Sequence, residues 1–371
     1  MKFLIITHVE HSKHSERYYG YAPYIREMNL WLQYCDEVEV IAPLEQKEVS
    51  PIDIPYQHNK ITFTEVPLFN LLSIKELFST IIKAPGICRA LYKGMKQADH
   101  IHVRCPGNMG LLGCIIQIAF PKKKKTAKYA GNWDLQSKQP FTYKLQRKIL
   151  RNTFLTRNMQ VLVYGDWNDN TKNIKPFFTA TYHEKDKKEI ADKSYSGKLN
   201  LMFVGALSAG KQPLYVIELA QNLLKNGIDV KLDVYGDGTL RPELENYIAN
   251  NNLSEVVTLM GNRTKQEVES SYRNNHFMIL PSKSEGWPKV VAEAMFWGCI
   301  PIATKVSCVP YMLNEGRRGI LLNMNLKTDT ESLAKLIGDK EKCTIMRSEG
   351  AKWSRNYTLD YFDEEIKKLM M

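Results

Sequence analysis

Twice along this 371-residue chain, short apolar runs alternate with longer amphipathic ones, and a polar stretch separates the two series. The first series has strand-like runs at 2–7, 37–42, 61–66, 100–103, 126–130 and 160–163, with helical patterns near 22–34, 74–97, 109–120 and 139–157. Residues 165–198 are rich in Asn, Asp and Lys. The alternation then restarts, with strands at 199–204, 230–235, 256–260, 277–280, 300–303 and 319–322 and helices at 211–226, 241–251, 264–274, 288–297 and 329–338. Strands that alternate with helices build a parallel sheet covered on both faces. The pattern therefore predicts an α/β chain of two doubly wound, Rossmann-like domains facing each other across a cleft. The first covers 1–165, a connector 166–198, and the second 199–357. A helical pattern over about 358–371 is expected to cross back onto the first domain. Ligands of such folds bind at the carboxyl ends of the strands, so the loops after strands are where chemistry is to be sought.

The length suits two domains of about 150–180 residues, each able to bury its own core. Lys2–Ile6 leads to Thr7 and His8 without a long apolar segment, which reads as a first strand and not as a secretory signal. The longest apolar stretch, Leu111–Phe120, is about half the roughly 20 residues a membrane span needs. Seven scattered cysteines with no C-x-x-C pair argue against a disulfide framework or zinc site and suit a reducing cytoplasm. The net charge of +11 is uneven: residues 1–165 hold 23 Lys+Arg against 13 Asp+Glu, whereas 166–371 hold 28 against 27. The excess peaks at Lys122–Lys125. That run reads first as a solvated loop and next as peripheral contact with an anionic membrane, the inner face for a cytoplasmic protein. Nucleic acid is not expected, because no reading motif accompanies the charge.

The sharpest signal lies at 281–301, PSKSEGWPKVVAEAMFWGCIP. An apolar strand ends in a turn bearing Glu285 and Gly286. Pro288 suits a first helical position, where its fixed φ and missing N–H cost nothing. The helix is expected to stop at Gly298. Glu285 then stands in the loop before the helix and Glu293 one and a half turns inside it. Backbone N–H groups of Gly286, Trp287 and Lys289, with the positive end of the helix dipole, suit a phosphate. Two carboxylates there can each accept protons from sugar hydroxyls.

These residues resemble the retaining glycosyltransferases of family 4, the group 1 transferases of GT-B fold, marked by two glutamates within E-G-[FW]-[GP]-x-x-x-x-E. Glu285 and Glu293 match both glutamates, and Gly286, Trp287 and Pro288 their neighbours. Phe203-Val204-Gly205 with Lys211 resembles the family's phosphate loop, and Tyr235-Gly236-Asp237-Gly238 its V-G-D-G turn. Gly261-Asn262-Arg263 stands where the family places the nucleobase. The resemblance covers roughly 199–325 and implies a nucleotide-sugar donor, of UDP or GDP type. Glu285 and Lys211 take the catalytic roles. Lys211 neutralises the departing diphosphate; Glu285 holds the transferred sugar with the backbone of Gly286–Lys289; Glu293 binds the ribose. Gly205, Gly236, Asn262, Arg263, Trp287, Pro288 and Val290 complete the donor set. It also implies retention of configuration, a glycan or lipid-linked acceptor, and neither cofactor nor metal, because electrostatic stabilisation of the diphosphate is the main catalytic effect.

The chain departs from the pattern in two places. Ala206 occupies the position of the family's phosphate-loop arginine, for which Arg263 is one substitute. Tyr129-Ala130-Gly131-Asn132-Trp133 lacks the family's active-site histidine, leaving Asn132 as the nearest polar group. His8, after the first strand, and Arg104, in His100–Pro106, are the other candidates beside the acceptor or sugar. His8, His11 and His14 also allow a metal reading, set below solvated or hydrogen-bonding roles. Trp287 reads equally as packing or as a sugar platform. Asp166-Trp167-Asn168-Asp169 has the look of an Asp-x-Asp metal motif but lies in the connector. These departures motivate two alternatives: a nucleotide-sugar epimerase or hydrolase on the same fold, or a catalytically weak nucleotide-sugar binder. A dehydrogenase fits poorly, since no full G-x-G-x-x-G is present.

Overall fold

A computed structural model describes residues 1–371 except 47, 51, 52, 69–73, 168, 170 and 191, and for 74–82 it describes the backbone alone. The chain forms two compact units, Met1–Phe178 with Phe362–Met371, and Thr179–Tyr361.

The first unit contains β1 (Lys2–Ile6), β2 (His11–His14), β3 (Arg17–Tyr21), α1 (Ala22–Leu32), β4 (Glu37–Ala42), β5 (Leu44–Glu45), β6 (Asp53–Pro55), β7 (Ile61–Glu65), α2 (Ile74–Gln97), β8 (His100–Cys105), α3 (Asn108–Ile116), β9 (Lys124–Tyr129), α4 (Phe141–Arg151), β10 (Met159–Tyr164) and β11 (Ile174–Phe177). Among the described residues its main sheet runs β11-β10-β9-β8-β1-β4-β7, and every pairing is parallel. Strand order reverses between β1 and β8. Leu4, Ile6, Ile101, Val103, Ala127, Val161 and Val163 are buried between the helical layers, as near-continuous apolar strands of a parallel sheet must be.

The loop expected after β1 is instead a hairpin. His11–His14 pairs antiparallel with Arg17–Tyr21 in a small second sheet, β5-β2-β3-β6. Its polar and aromatic sequence hides the alternation, because Tyr18, Tyr19 and His11 pack as rings and not as aliphatic side chains. The Lys122–Lys125 run also differs from a solvated loop. Lys125, the second residue of β9, is buried, donating to Gln117 Oε1 at 2.8 Å and to the Phe120 carbonyl at 3.0 Å, and Lys123 donates to the Ala98 carbonyl at 2.6 Å. Burial pushes the Lys125 ammonium down to about 8.

The second unit contains β12 (Leu199–Val204), α5 (Pro213–Lys225), β13 (Val230–Tyr235), α6 (Arg241–Asn250), β14 (Val257–Gly261), α7 (Lys265–Asn274), β15 (Phe277–Leu280), α8 (Lys289–Phe296), β16 (Ile300–Thr304), α9 (Val309–Met312), β17 (Ile320–Leu322), α10 (Leu326–Gly338) and α11 (Lys340–Ser354). Its sheet is parallel, in the order β14-β13-β12-β15-β16-β17, and reverses between β12 and β15. The last helix, α12 (Leu359–Met370), belongs to the first unit from Phe362 onward. There Phe362 is buried against Phe177 and Phe178, and Glu365 accepts from Lys175 at 2.5 Å. No described helix is long and apolar enough to cross a membrane.

Candidate active site

At the reversal point of the second unit, the loops after β12, β13, β14 and β15 are sewn together by backbone hydrogen bonds. Gly205 N donates to the Tyr235 carbonyl at 3.0 Å, Leu207 N to that of Asp237 at 3.0 Å, and Gly236 N to that of Gly261 at 2.9 Å. The strand ends approach so closely that Gly236, at φ 122, leaves room for no side chain: a Cβ there would sit 2.0 Å from the Gly205 carbonyl oxygen. Gly238 is under the same constraint from the Leu207 carbonyl, at 2.5 Å. On the other side, Lys283 N donates to the Gly210 carbonyl at 2.9 Å, which fastens the turn after β12 to the loop after β15.

Within this frame Lys211 Nζ donates to Glu285 Oε1. The glutamate side chain is 10% exposed and the lysine 30%, so the pair opens to solvent on the lysine's side. The Gly286 carbonyl is held in turn by the Ser307 hydroxyl at 3.1 Å and the Cys308 thiol at 3.0 Å. These two residues were not legible as site residues, because nothing in their spacing ties them to the glutamate loop.

Pro288 differs from its expected position. It stands at φ −71, ψ 94, the extended geometry of a residue that precedes a helix, and α8 begins at Lys289. Lys289 and Val290 form the first turn, both half-buried. The helix closes as expected at Gly298: at φ 71 its N–H reaches the Met295 carbonyl, and Cys299 N reaches that of Ala294. Glu293 Oε1 accepts from the Thr181 hydroxyl at 2.7 Å and Oε2 from the Tyr272 hydroxyl at 3.1 Å. Thr181 lies in the stretch read as a connector and carried no signal. Trp287 is 6% exposed, its ring stacked on Trp353 and edge-on to Tyr357, so the ring braces the glutamate loop against α11. Asn262 and Arg263 are exposed after β14, with Arg263 3.6 Å from Glu267. Arg241 was not foreseen: it approaches Gly261 and pairs with Asp237 at 3.5 Å, beside the Tyr235–Gly238 turn.

The reversal point of the first unit gathers His8 and Arg104. Gly107 lies against the His8 ring, where a Cβ would meet Nδ1 at 2.7 Å. Although the residue is exposed, the protein packed around it, and then the Arg104 charge, bring the His8 pKa down to about 4. Arg104 stacks over the Tyr24 ring at 4.6 Å. Asn132 Oδ1 accepts from Asp134 N at 2.9 Å, which commits that oxygen to a local turn. A Cβ at Gly131 would lie 3.0 Å from the Pro106 ring, which would have to give by a few tenths of an ångström to admit a side chain there. His11 is buried against Tyr56, 3.0 Å from its hydroxyl, while His14 is exposed. Of the Asp-x-Asp-like stretch, Asn168 lies outside the described residues, and Asp169 accepts from Thr171, Arg151 and Trp133. Among the described residues no group of three or more His, Cys, Asp or Glu is placed to hold a metal ion.

Residues 184–353 match the family described as Glycosyl transferases group 1. An uncharacterized glycosyltransferase of Methanocaldococcus jannaschii is 29% identical over 169 residues, 45% of this chain and 46% of that protein. The chain thus matches somewhat less than half the length of that relative. Among solved structures, sucrose-phosphate synthase from Thermosynechococcus elongatus aligns with a TM-score of 0.66 at 15% identity, over 99% of this chain and 98% of that one. Anabaena HepE in complex with UDP and glucose aligns with a TM-score of 0.64 at 13% identity, over the same shares.

Proposed function

Residues 184–353 belong to the group 1 glycosyl transferases and the fold is GT-B; from that premise we propose that the protein is a retaining glycosyltransferase. In this reading it moves a sugar from a nucleotide-sugar donor to a glycan or lipid-linked acceptor, in surface polysaccharide or glycoconjugate synthesis, without a bound metal.

The observation that carries it is the contact between Lys211 and Glu285 at the reversal point of the second unit. A donor diphosphate set against the Gly205–Gln212 turn competes for the Lys211 ammonium, because a phosphate offers it more negative charge than one carboxylate does. Glu285 is then released to accept hydroxyl protons from the transferred sugar. Glu293 keeps a second lone-pair direction on each oxygen while Thr181 and Tyr272 hold it in place, which suits a ribose with two adjacent hydroxyls. As the bond from the anomeric carbon to the diphosphate oxygen breaks, Lys211 offsets part of the charge left on the diphosphate, and the acceptor oxygen bonds to the face being vacated while its proton passes to the departing phosphate oxygen. A UDP-sugar is the first donor to try, since HepE, of like fold, is described with UDP and glucose.

His8, Arg104 and the Asn132 amide are assigned to the acceptor or sugar in the first unit. Peripheral contact with an anionic membrane is assigned there too, on Phe141 and Phe154, which are 77% and 70% exposed around the ends of α4. Lys144, Lys148 and Arg151 of that helix are exposed alongside them. The test is a panel of UDP- and GDP-sugars screened by thermal shift, followed by transfer to an acceptor extract. A donor that binds without transfer favours the weak binder, and no donor binding defeats the proposal.

A further inference from the structure

The first unit carries a basic cavity lined by none of the residues assigned to the donor or acceptor. Lys124 opens β9, Met159 and Gln160 open β10, and Lys172 and Asn173 precede β11; with Arg157 and Lys368 they line a space of about 480 Å³. Parallel pairing puts this space at the amino ends of the strands. A doubly wound sheet binds its usual ligand at the other end.

The wall is charged in one sense only. Lys124, Lys125, Arg157, Lys172 and Lys368 contribute to it, and no carboxylate does. Lys125 is buried, its ammonium held by Gln117 and Phe120. Lys368 is 2.7 Å from Glu365, whose other oxygen is held by Lys175. Lys124, Arg157 and Lys172 have no ion-pair partner among the described residues, though Arg157 lies 4.4 Å over the Phe154 ring. Like charges on one concave wall repel each other and focus a positive potential into it. Thr153, Thr156 and Asn158 line the same space, where the Thr156 hydroxyl donates to the Asn152 carbonyl at 2.7 Å and the Asn158 amide to the Pro121 carbonyl at 3.0 Å.

We propose that this cavity binds a condensed phosphate, two or three phosphoryl groups long, either free or carried on an ester. Three cations without an ion-pair partner among the described residues, set around a space of this size, match the charge of pyrophosphate, and a single phosphate would leave part of the wall unneutralised.

The experiment titrates inorganic pyrophosphate calorimetrically into the full chain carrying Lys211→Ala, which removes the cation of the proposed donor site. The same titration is repeated with Lys124→Gln, Arg157→Gln and Lys172→Gln added. Binding is expected in the first protein and at least tenfold weaker in the second, with pyrophosphate raising the melting temperature of the first alone. In phosphate-free buffer the added substitutions should leave the melting temperature unchanged or higher, because they relieve repulsion. Equal affinity in both proteins overturns the proposal, and so does a fall in melting temperature without loss of binding. Lys172→Glu alone, at an exposed position, repeats the test should the multiple variant fold poorly. Sedimentation with phosphatidylcholine vesicles, with and without diacylglycerol pyrophosphate, separates a lipid headgroup from a free anion. Vesicle binding lost in the substituted protein assigns the membrane source, and pyrophosphate binding alone assigns the free one. UDP binding by the chain bearing only the three glutamine substitutions reports on the donor site separately, so the two readings can fail independently.

Discussion

Lys211, in the turn after β12, donates a hydrogen bond from Nζ to Oε1 of Glu285 in the loop after β15, so residues read from two separate motifs touch where the strand order reverses. Each neutralises the other in the absence of a donor. Both substitutions, Lys211→Ala and Glu285→Ala, are expected to lower transfer at least tenfold, about 1.4 kcal/mol or more of transition-state stabilisation. Circular dichroism should show the fold intact. Unchanged rates in both variants would defeat the assignment.

Glu293 is expected to matter to binding and to stability together. Glu293→Ala leaves the Tyr272 hydroxyl, on a residue with no exposed surface, without its acceptor, at a cost of about 1–3 kcal/mol. Thr181→Val removes a partner and leaves the carboxylate in place, so it should weaken donor affinity with a smaller loss of stability. Urea midpoints and UDP titrations separate the two effects; equal losses in both variants contradict it.

Gly236→Ala should be among the most damaging single changes in the second unit. Its added methyl meets the Gly205 carbonyl at 2.0 Å on a backbone with φ 122, so the stitched strand ends must part. A loss of about 3 kcal/mol or more is expected. Gly338→Ala, where nothing lies within 4 Å at the end of a helix, should be neutral or stabilising by up to about 1 kcal/mol. Similar melting temperatures for the two variants would show that the close approach is not needed.

Acid should destabilise the first unit well above the carboxylate range. Burial, and then the charge of Lys124, bring His100 down to about 3; burial, His100, Lys128 and Arg104 lower His102 as well. Both rings share the Thr126 hydroxyl, each at 2.9 Å. Below pH 6.5 the unfolded chain takes up protons that the folded rings refuse, so stability is complete above that pH and falls as the pH drops toward 3. For His100 alone the loss is about 2 kcal/mol by pH 5. His100→Gln should shrink the difference between urea midpoints at pH 7 and pH 5, and an unchanged difference counts against this account.

Transfer should persist in EDTA, since Lys211 and the backbone at the start of α8 are assigned to the diphosphate charge. A loss of activity that manganese restores would return attention to the histidines after β1.

The alternation of apolar runs determined both sheets, because a buried parallel strand must be apolar along its length and its covering helix amphipathic. Val230–Tyr235 and Phe277–Leu280 were legible to the residue, and so was the glutamate pair, since local spacing sets which residues stand before a helix and which lie within it. The hairpin His11–Tyr21 and helix α11 were not read, because rings and charged residues form their periodicity. Only the tertiary structure decided that Lys211 meets Glu285, that Thr181 and Tyr272 grip Glu293, and that Trp287 is spent on packing. Those contacts join residues from 21 to 112 positions apart in the chain, and hydrophobic periodicity carries no record of which loops a reversed strand order brings together.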